Sequence, residues 1–427
     1  MTGQNKPFIS IKNQGWTSMS SPTSSSVAAL LDTLKSKEQY RKLPGIRHEN
    51  QWIVLDNKQL LNISSNDYLG LGNDTQLQSQ FLSDLQAMPD SQRPKMGATS
   101  SRLLTGNHSQ LPLLEAELLE WYTLALPEAQ RSTCNKSVLV VNSGYHANIG
   151  ILPALAKLPL NTLILTDTLI HASLIDGVRL IGNKHPHCTY QRYRHNDMQH
   201  LATLIEQAGD EIQRIIVVTE SIFSMDGDRA NLKALVKLKA GDPRIELYID
   251  EAHAVGVLGY NGLGLAEETQ TLEDIDYIVG TFGKAFASMG AYVICDASVR
   301  EWLINQMRSF IFSTALPPIT HCWTRFILAK MPSLYQSRSH LANISRRVSY
   351  AIHNDSAAQY ESPIIPYILG DNASAIKKAQ ALQQAGFYAL PIRPPTVPVG
   401  TSRIRLVMNA KLSDDDCSRL IEQLSGS

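Results

Sequence analysis

The chain has 427 residues, 43% of them hydrophobic and 18% charged, a balance that suits a soluble globular protein with a large core. Lys+Arg and Asp+Glu both number 39, so zero net charge lends no support to a nucleic-acid or anionic-membrane partner, and no apolar run is long enough to span a membrane. Cys134, Cys188, Cys295, Cys322 and Cys417 are scattered, odd in number and without a C-x-x-C pair, which argues against a disulfide framework or zinc site and for a reducing compartment.

Residues 1–26 read as a flexible tail, since the Ser-rich stretch from Ser20 to Ser26 can bury little. The tail has no apolar core of the kind a signal peptide needs, so a cytoplasmic location is expected. Val27 to Lys42 has helical spacing through Leu30, Leu31 and Leu34, and opens an N-terminal segment, 27–70, of one helix and short strands. From about 130 to 300, apolar runs alternate with helical stretches. The runs are Ser137–Val141, Thr162–Leu165, Arg214–Val218, Ile245–Ile249, Tyr277–Val279 and Ala291–Ile294. Such nearly continuous Val/Ile/Leu runs mark strands covered on both faces, and their alternation with helices predicts an α/β domain, 71–310, with a mostly parallel, doubly wound central sheet. After about 310 the pattern breaks at Pro317-Pro318. Helices then surround short strands near Ser362–Leu369 and Arg403–Met408, a smaller α+β domain, 311–427.

Ligands of open α/β sheets sit beyond the carboxyl ends of the strands. Here those ends are polar. Val141 runs into Asn142-Ser143-Gly144-Tyr145, and Leu165 into Thr166-Asp167 with His171 beyond. Val218 runs into Thr219-Glu220-Ser221 with Ser224 beyond, Ile249 into Asp250-Glu251-Ala252-His253, and Val279 into Gly280-Thr281 and Lys284. A lysine in such a crevice can form a Schiff base with a carbonyl cofactor. A neighbouring carboxylate keeps a pyridine nitrogen protonated, so the ring accepts the electron pair of a bond broken at an amino acid's Cα. A helix opening at Ser143-Gly144-Tyr145, with the hydroxyl of Thr281, suits a phosphate, and His171 can stack on a ring. Pyridoxal phosphate meets every part of this description, and no metal is called for.

Taken singly, these residues have plain readings. Lys284 alone is a surface lysine, His171 a helix-start residue, and Ser143-Gly144 a strand–helix turn. Asp250-Glu251-Ala252-His253 also spells a helicase-type box, but that reading needs a G-x-x-x-x-G-K-[ST] loop upstream, and the chain has none. Their shared placement at strand ends is what turns them into a site.

The chain resembles the α-oxoamine synthases, fold-type-I pyridoxal-phosphate transferases, from about residue 27 to the C-terminus. The motifs that carry the resemblance are Ser64–Leu71, Asn142–Asn148, His171–Leu174, Thr219–Gly227, Asp250–His253 and Thr281–Lys284. Ile392–Leu406 resembles the C-terminal signature of the branch that condenses L-alanine with a pimeloyl thioester, of coenzyme A or of an acyl carrier protein, releasing the thiol and carbon dioxide. The resemblance implies that Lys284 holds the cofactor covalently, Asp250 pairs with the ring nitrogen, His253 and Ser224 address the ring's phenolic oxygen, and His171 stacks on the ring. It implies Gly144, Tyr145 and Thr281 at the phosphate, and Arg405 at the amino-acid carboxylate with Asn66 nearby. Arg41 would take the far carboxylate of the pimeloyl chain, and Thr396 would line the substrate pocket. A homodimer is also implied, with Ser313-Thr314 reaching the neighbour's phosphate.

Some positions depart from the pattern. The glycine-rich turn of many relatives is Gly97-Ala98-Thr99-Ser100-Ser101 here, Leu111 stands where many have His, and Ala291 replaces a frequent glycine. Two other readings remain open: a sister synthase using glycine or serine with another acyl chain, and an aminotransferase on the same fold. The Ile392–Leu406 stretch argues against the first.

Overall fold

The computed structural model describes residues 22–182, 185–353 and 362–425. Among the described residues there are fourteen strands, β1 to β14 in chain order, and helices separate most of those in the central sheet. The central sheet holds β4 (Lys136–Val141), β5 (Thr162–Asp167), β6 (Cys188–Tyr193), β7 (Arg214–Glu220), β8 (Ile245–Asp250), β9 (Tyr277–Thr281) and β10 (Ala291–Asp296). Their order across the sheet is β4-β10-β9-β8-β7-β5-β6. All pairings are parallel except those of β10, which runs antiparallel to both neighbours. The expected mostly parallel α/β sheet is therefore present, and β4, β5, β7, β8 and β9 end at one edge.

Burial explains why these strands form. Every residue of β5, β7 and β9 is buried, and cores lie on both faces of the sheet. Strand β6 differs: it is the edge strand, four of its residues are exposed, and its sequence carries too little apolar character to stand out.

Two smaller sheets flank this one. β11 (Ile364–Gly370), β14 (Ser402–Val407) and β13 (Pro391–Ile392) form a three-stranded antiparallel sheet in the order β11-β14-β13. β1 (Arg47–Glu49), β2 (Trp52–Leu55) and β3 (Lys58–Asn62) form an antiparallel meander, and β12 (Phe387–Tyr388) adds to β3 in parallel. The C-terminal region thus completes the N-terminal sheet. The first described helix runs from Pro22 to Ser36, starting before the expected Val27 and stopping short of Lys42. The expected tail lies outside the described residues as far as residue 21. No helix among the described residues is long and apolar enough to cross a membrane.

Candidate active site

The carboxyl ends of the parallel strands place expected residues in two hydrogen-bonded chains, one through Asp250, Asn148, Ser173 and His171 and one through His253, Tyr68, Asn66, Arg405 and Ser224. Asp250, the last residue of β8, is buried, and its Oδ2 accepts from Asn148 Nδ2 at 2.8 Å while Oδ1 accepts from the Ala252 N–H at 2.9 Å. Asn148 is fixed in turn: Nδ2 also reaches Ser173 Oγ at 2.9 Å, and Oδ1 accepts from the Tyr248 hydroxyl at 2.7 Å. Two donors fix the orientation of this carboxylate, which remains an acceptor for a protonated ring nitrogen.

Lys284 lies in the turn between β9 and β10. Loss of solvent pushes its amine down to about 8, and Arg405 adds to the effect, while Asp250 and Glu220 pull the other way. A lysine so placed gives up its proton far more readily than a surface lysine. His253 is buried, with Nδ1 2.6 Å from the Tyr68 hydroxyl. Burial, then Lys284 and Arg405, holds its pKa well below the ordinary value, and burial raises the Tyr68 phenol to about 12. Both groups are therefore neutral at neutral pH.

His171 caps the helix Ala172–Ile181: Nδ1 accepts from the Ser173 N–H at 3.2 Å and lies 2.7 Å from Ser173 Oγ. The cap that makes His171 look like a helix-start residue also fixes the ring's orientation, and the residue stays exposed. Ser143 caps the helix Gly144–Leu155 through Oγ, leaving the first-turn N–H groups of Gly144 and Tyr145 at a helix N-terminus suited to an anion. The Tyr145 hydroxyl is directed elsewhere, to Asp176 Oδ2 at 2.8 Å, so only its backbone is available for that role. Thr281 lies beside Gly144, with its hydroxyl donating to the Gly290 carbonyl at 3.1 Å and accepting from Gly283 N–H. Thr314 is exposed, and its carbonyl accepts from Asn142 Nδ2 at 2.7 Å, one residue before the Ser143 cap.

Arg405, in β14, is buried; Nε donates to the Ser224 carbonyl at 2.5 Å and a terminal nitrogen to Asn66 Oδ1 at 3.0 Å. Asn66 lies beside Arg405, and the Ser224 carbonyl, which the sequence reading does not connect with Arg405, joins them. Arg41 and Thr396 form a second group, both exposed, with Arg41 donating to Thr396 Oγ1 at 2.9 Å. Arg393 also donates to the Glu38 carbonyl, so two contacts tie the segment after the first helix to the 393–396 turn. A cavity of about 680 Å³ lined by Tyr260, Glu267 and Arg338 contains none of these residues.

Tyr68, Asn148 and Glu220 are not among the sequence candidates, although each lies inside one of the resemblance motifs. Glu220 is the most telling. It pairs in register with Asp250, is buried, and its Oε1 has no hydrogen-bond partner. Burial, then the Asp250 charge, holds its carboxyl well above the usual range. Its position opposite Asp250 was the available signal, but two adjacent carboxylates read equally well as metal ligands or as a strand end.

The turn at Gly97–Ser101 carries a further departure. Thr99 has φ +57, in the left-handed region that favours glycine.

Comparison with known proteins agrees with this geometry. The family model for aminotransferase class I and II matches residues 58–424. An 8-amino-7-oxononanoate synthase from Haemophilus ducreyi is 49% identical over 387 residues, covering 89% of this chain and 95% of that protein. The chain belongs to the 8-amino-7-oxononanoate synthases. It is accordingly an enzyme, a transferase of biotin biosynthesis. Among solved structures, serine palmitoyltransferase from S. paucimobilis, with a pyridoxal phosphate–myriocin adduct bound, superposes with a TM-score of 0.79 at 24% identity, over 94% of this chain and 96% of that one. An 8-amino-7-oxononanoate synthase from Francisella tularensis gives a TM-score of 0.66 at 22% identity, over 86% and 97%. The enzyme thus has the fold-type-I transferase fold, the fold class expected from its sequence.

Proposed function

We propose that this enzyme joins L-alanine to a pimeloyl thioester, carried on coenzyme A or an acyl carrier protein, and releases the thiol and carbon dioxide to give 8-amino-7-oxononanoate. The cofactor is pyridoxal 5′-phosphate. What supports the substrate pair is the presence of two guanidinium positions: Arg405 within the Lys284 group, and Arg41 with Thr396 apart from it. Alanine and the pimeloyl chain each bring one carboxylate, and a guanidinium holds a carboxylate bidentately.

The residues fit the cofactor by their chemistry: a depressed lysine amine, a carboxylate held by two donors, a fixed imidazole and a helix N-terminus at one strand edge. Lys284 would hold it covalently, with Asp250 at its ring nitrogen, His253 and Ser224 at its phenolic oxygen, His171 over its ring, and Gly144, Tyr145 and Thr281 at its phosphate. When bound, the group supplies an electron sink for the pair left at the amino acid's Cα. Lys284 Nζ, once neutral, takes the proton from the alanine Cα. Arg405, steered by Asn66 and the Ser224 carbonyl, orients the alanine carboxylate that leaves as carbon dioxide. Arg41 and Thr396 take the far carboxylate of the acyl chain. A homodimer is part of this proposal, with the segment around Thr314 serving the neighbour's phosphate site; sedimentation of a fully active monomer would refute it.

The test is a product assay: alanine and pimeloyl-coenzyme A should yield 8-amino-7-oxononanoate by mass spectrometry. Incubation with alanine alone should leave the cofactor's aldehyde form intact, whereas accumulation of its amino form would mark an aminotransferase. Arg41→Ala should raise the pimeloyl thioester KM by about tenfold or more, the loss of a charge-assisted contact, without weakening alanine binding. An unaltered KM would place recognition of the pimeloyl end elsewhere.

A further inference from the structure

A second charged cluster lies at the strand ends, outside the chemistry assigned above. His195 follows β6 and sits between two carboxylates: Nδ1 is 3.0 Å from Asp167 Oδ1, and Nε2 is 2.8 Å from Asp228 Oδ2. Asp167 ends β5 with its side chain wholly buried, and it also accepts from the N–H groups of Leu169 and Asn196 at 2.8 and 2.9 Å. Asn196 Nδ2 donates to Asp228 Oδ2 at 2.8 Å and to the Arg229 carbonyl at 3.1 Å. Loss of solvent alone would lower the His195 pKa, but the bonds to Asp167 and Asp228 outweigh it and hold the ring at about 10. Both ring nitrogens then donate. The ring also packs edge-on against buried Phe223, with centroids 4.4 Å apart.

Phe223 and Asp228 belong to the loop from Ser221 to Ala230 that follows β7. The loop closes on itself: Phe223 N–H donates to the Asp228 carbonyl, Gly227 N–H to Phe223, and Ala230 N–H to Ser221. Its tip presents Ser224, Met225 and Asp226 to the C-terminal sheet. Arg405 Nε donates to the Ser224 carbonyl at 2.5 Å, and Arg403 donates to the Met225 carbonyl at 3.2 Å and to Asp226 Oδ1 at 2.6 Å. Backbones touch here as well: Gly227 has φ +74, and a Cβ on it would lie 2.0 Å from the Ile364 carbonyl oxygen. The loop is therefore pinned on one side to the central sheet, through His195 and Asn196, and on the other to β11 and β14. Asp228 Oδ1 is buried and has no partner, so the contacts of its other oxygen carry the whole anchorage of that side chain.

We propose that His195 is a positioning residue: by bridging Asp167 and Asp228 it fixes the Ser221–Ala230 loop, so that the Ser224 carbonyl aims the Arg405 guanidinium at the amino-acid carboxylate. The inference rests on the reading of Arg405 given above. A neutral side chain at 195 cannot donate to both carboxylates from one rigid ring; Asp228 then keeps the Asn196 amide but loses its bridge to Asp167, which loosens the loop on its central-sheet side while its contacts to β11 and β14 remain.

The test is steady-state kinetics of the holoenzyme, with alanine and pimeloyl-coenzyme A varied in turn, for the wild type, His195→Gln, Asp228→Asn, Arg405→Lys and the double variant His195→Gln/Arg405→Lys. His195→Gln should raise the alanine KM roughly tenfold and leave the pimeloyl-coenzyme A KM within about twofold. Asp228→Asn should act in the same direction, and it carries the comparison if His195→Gln does not fold. The double variant should bind alanine no worse than Arg405→Lys alone, since both changes act through one guanidinium. If His195→Gln and Asp228→Asn leave the alanine KM unaltered while Arg405→Lys raises it, or if both substrates' KM values rise together, the positioning role is overturned and the Arg405 reading survives. If Arg405→Lys itself leaves the alanine KM unaltered, the Arg405 reading fails and this proposal fails with it.

Discussion

At Lys284, opposing effects are weighed on one side chain. Burial and Arg405 disfavour the ammonium, Asp250 and Glu220 favour it, and the balance falls at about 8, below the ordinary 10.5. The neutral amine is the nucleophile, so uptake of pyridoxal phosphate by cofactor-free enzyme should speed up as pH rises towards 8 and level off above it. A rate still climbing through pH 10 would show an ordinary lysine. Thr99 is a second case. A β-branched residue held at φ +57 costs about 1–2 kcal/mol, and the extra freedom that glycine gives the unfolded chain offsets part of any relief. Thr99→Gly should therefore stabilise the enzyme by about 0.5–1 kcal/mol, read as a higher denaturant midpoint; a lower midpoint would mean that the Thr99 side chain contributes more than the strain costs. Lys284, Asp250 and His253 were legible because strand-end residues of these types have few other reasons to occur together. Their partners were not: Tyr68 lies 185 residues from His253, and Asn148 lies 102 from Asp250. Nothing local in a sequence encodes such pairings.

Among the elements, the helices Gly144–Leu155 and Ala172–Ile181 matter most to the site, because they supply Asn148, Ser173 and the two capped N-termini. They meet where Gly177 faces Asn148: a Cβ on Gly177 would lie 2.5 Å from the Asn148 carbonyl oxygen, which belongs to backbone and cannot swing aside. Gly177→Ala should push the helices apart, cost roughly 1–3 kcal/mol of stability, and weaken cofactor retention by moving Asn148 away from Asp250. Unchanged cofactor affinity in a titration of this variant would show that Asn148 does not depend on the close approach. Strands β4, β5, β7, β8, β9 and β10 were readable from their apolar runs because burial on both faces keeps the middle of each strand apolar and leaves polar residues mainly to its ends. Strand β6 escaped because an edge strand with four exposed residues has no such constraint.

Across the whole molecule, the site depends on segments far apart in sequence. Arg405 comes from the C-terminal sheet, Asn66 from the segment after β3, and Ser224 from the loop after β7. The sequence divides into an N-terminal segment, a large α/β domain and a smaller C-terminal one, yet β12 pairs with β3, so the first and last parts share a sheet. A parallel pairing between residues so far apart in the chain has no local signature, and for that reason the division by sequence missed it. The account's central claim is that this strand-end group holds pyridoxal phosphate through Lys284. Borohydride reduction of the holoenzyme followed by peptide mapping tests it most directly. The account predicts that the reduced cofactor will be found on the peptide containing Lys284 and that Lys284→Ala will abolish the label; a label on another lysine, or one that survives the substitution, would contradict it.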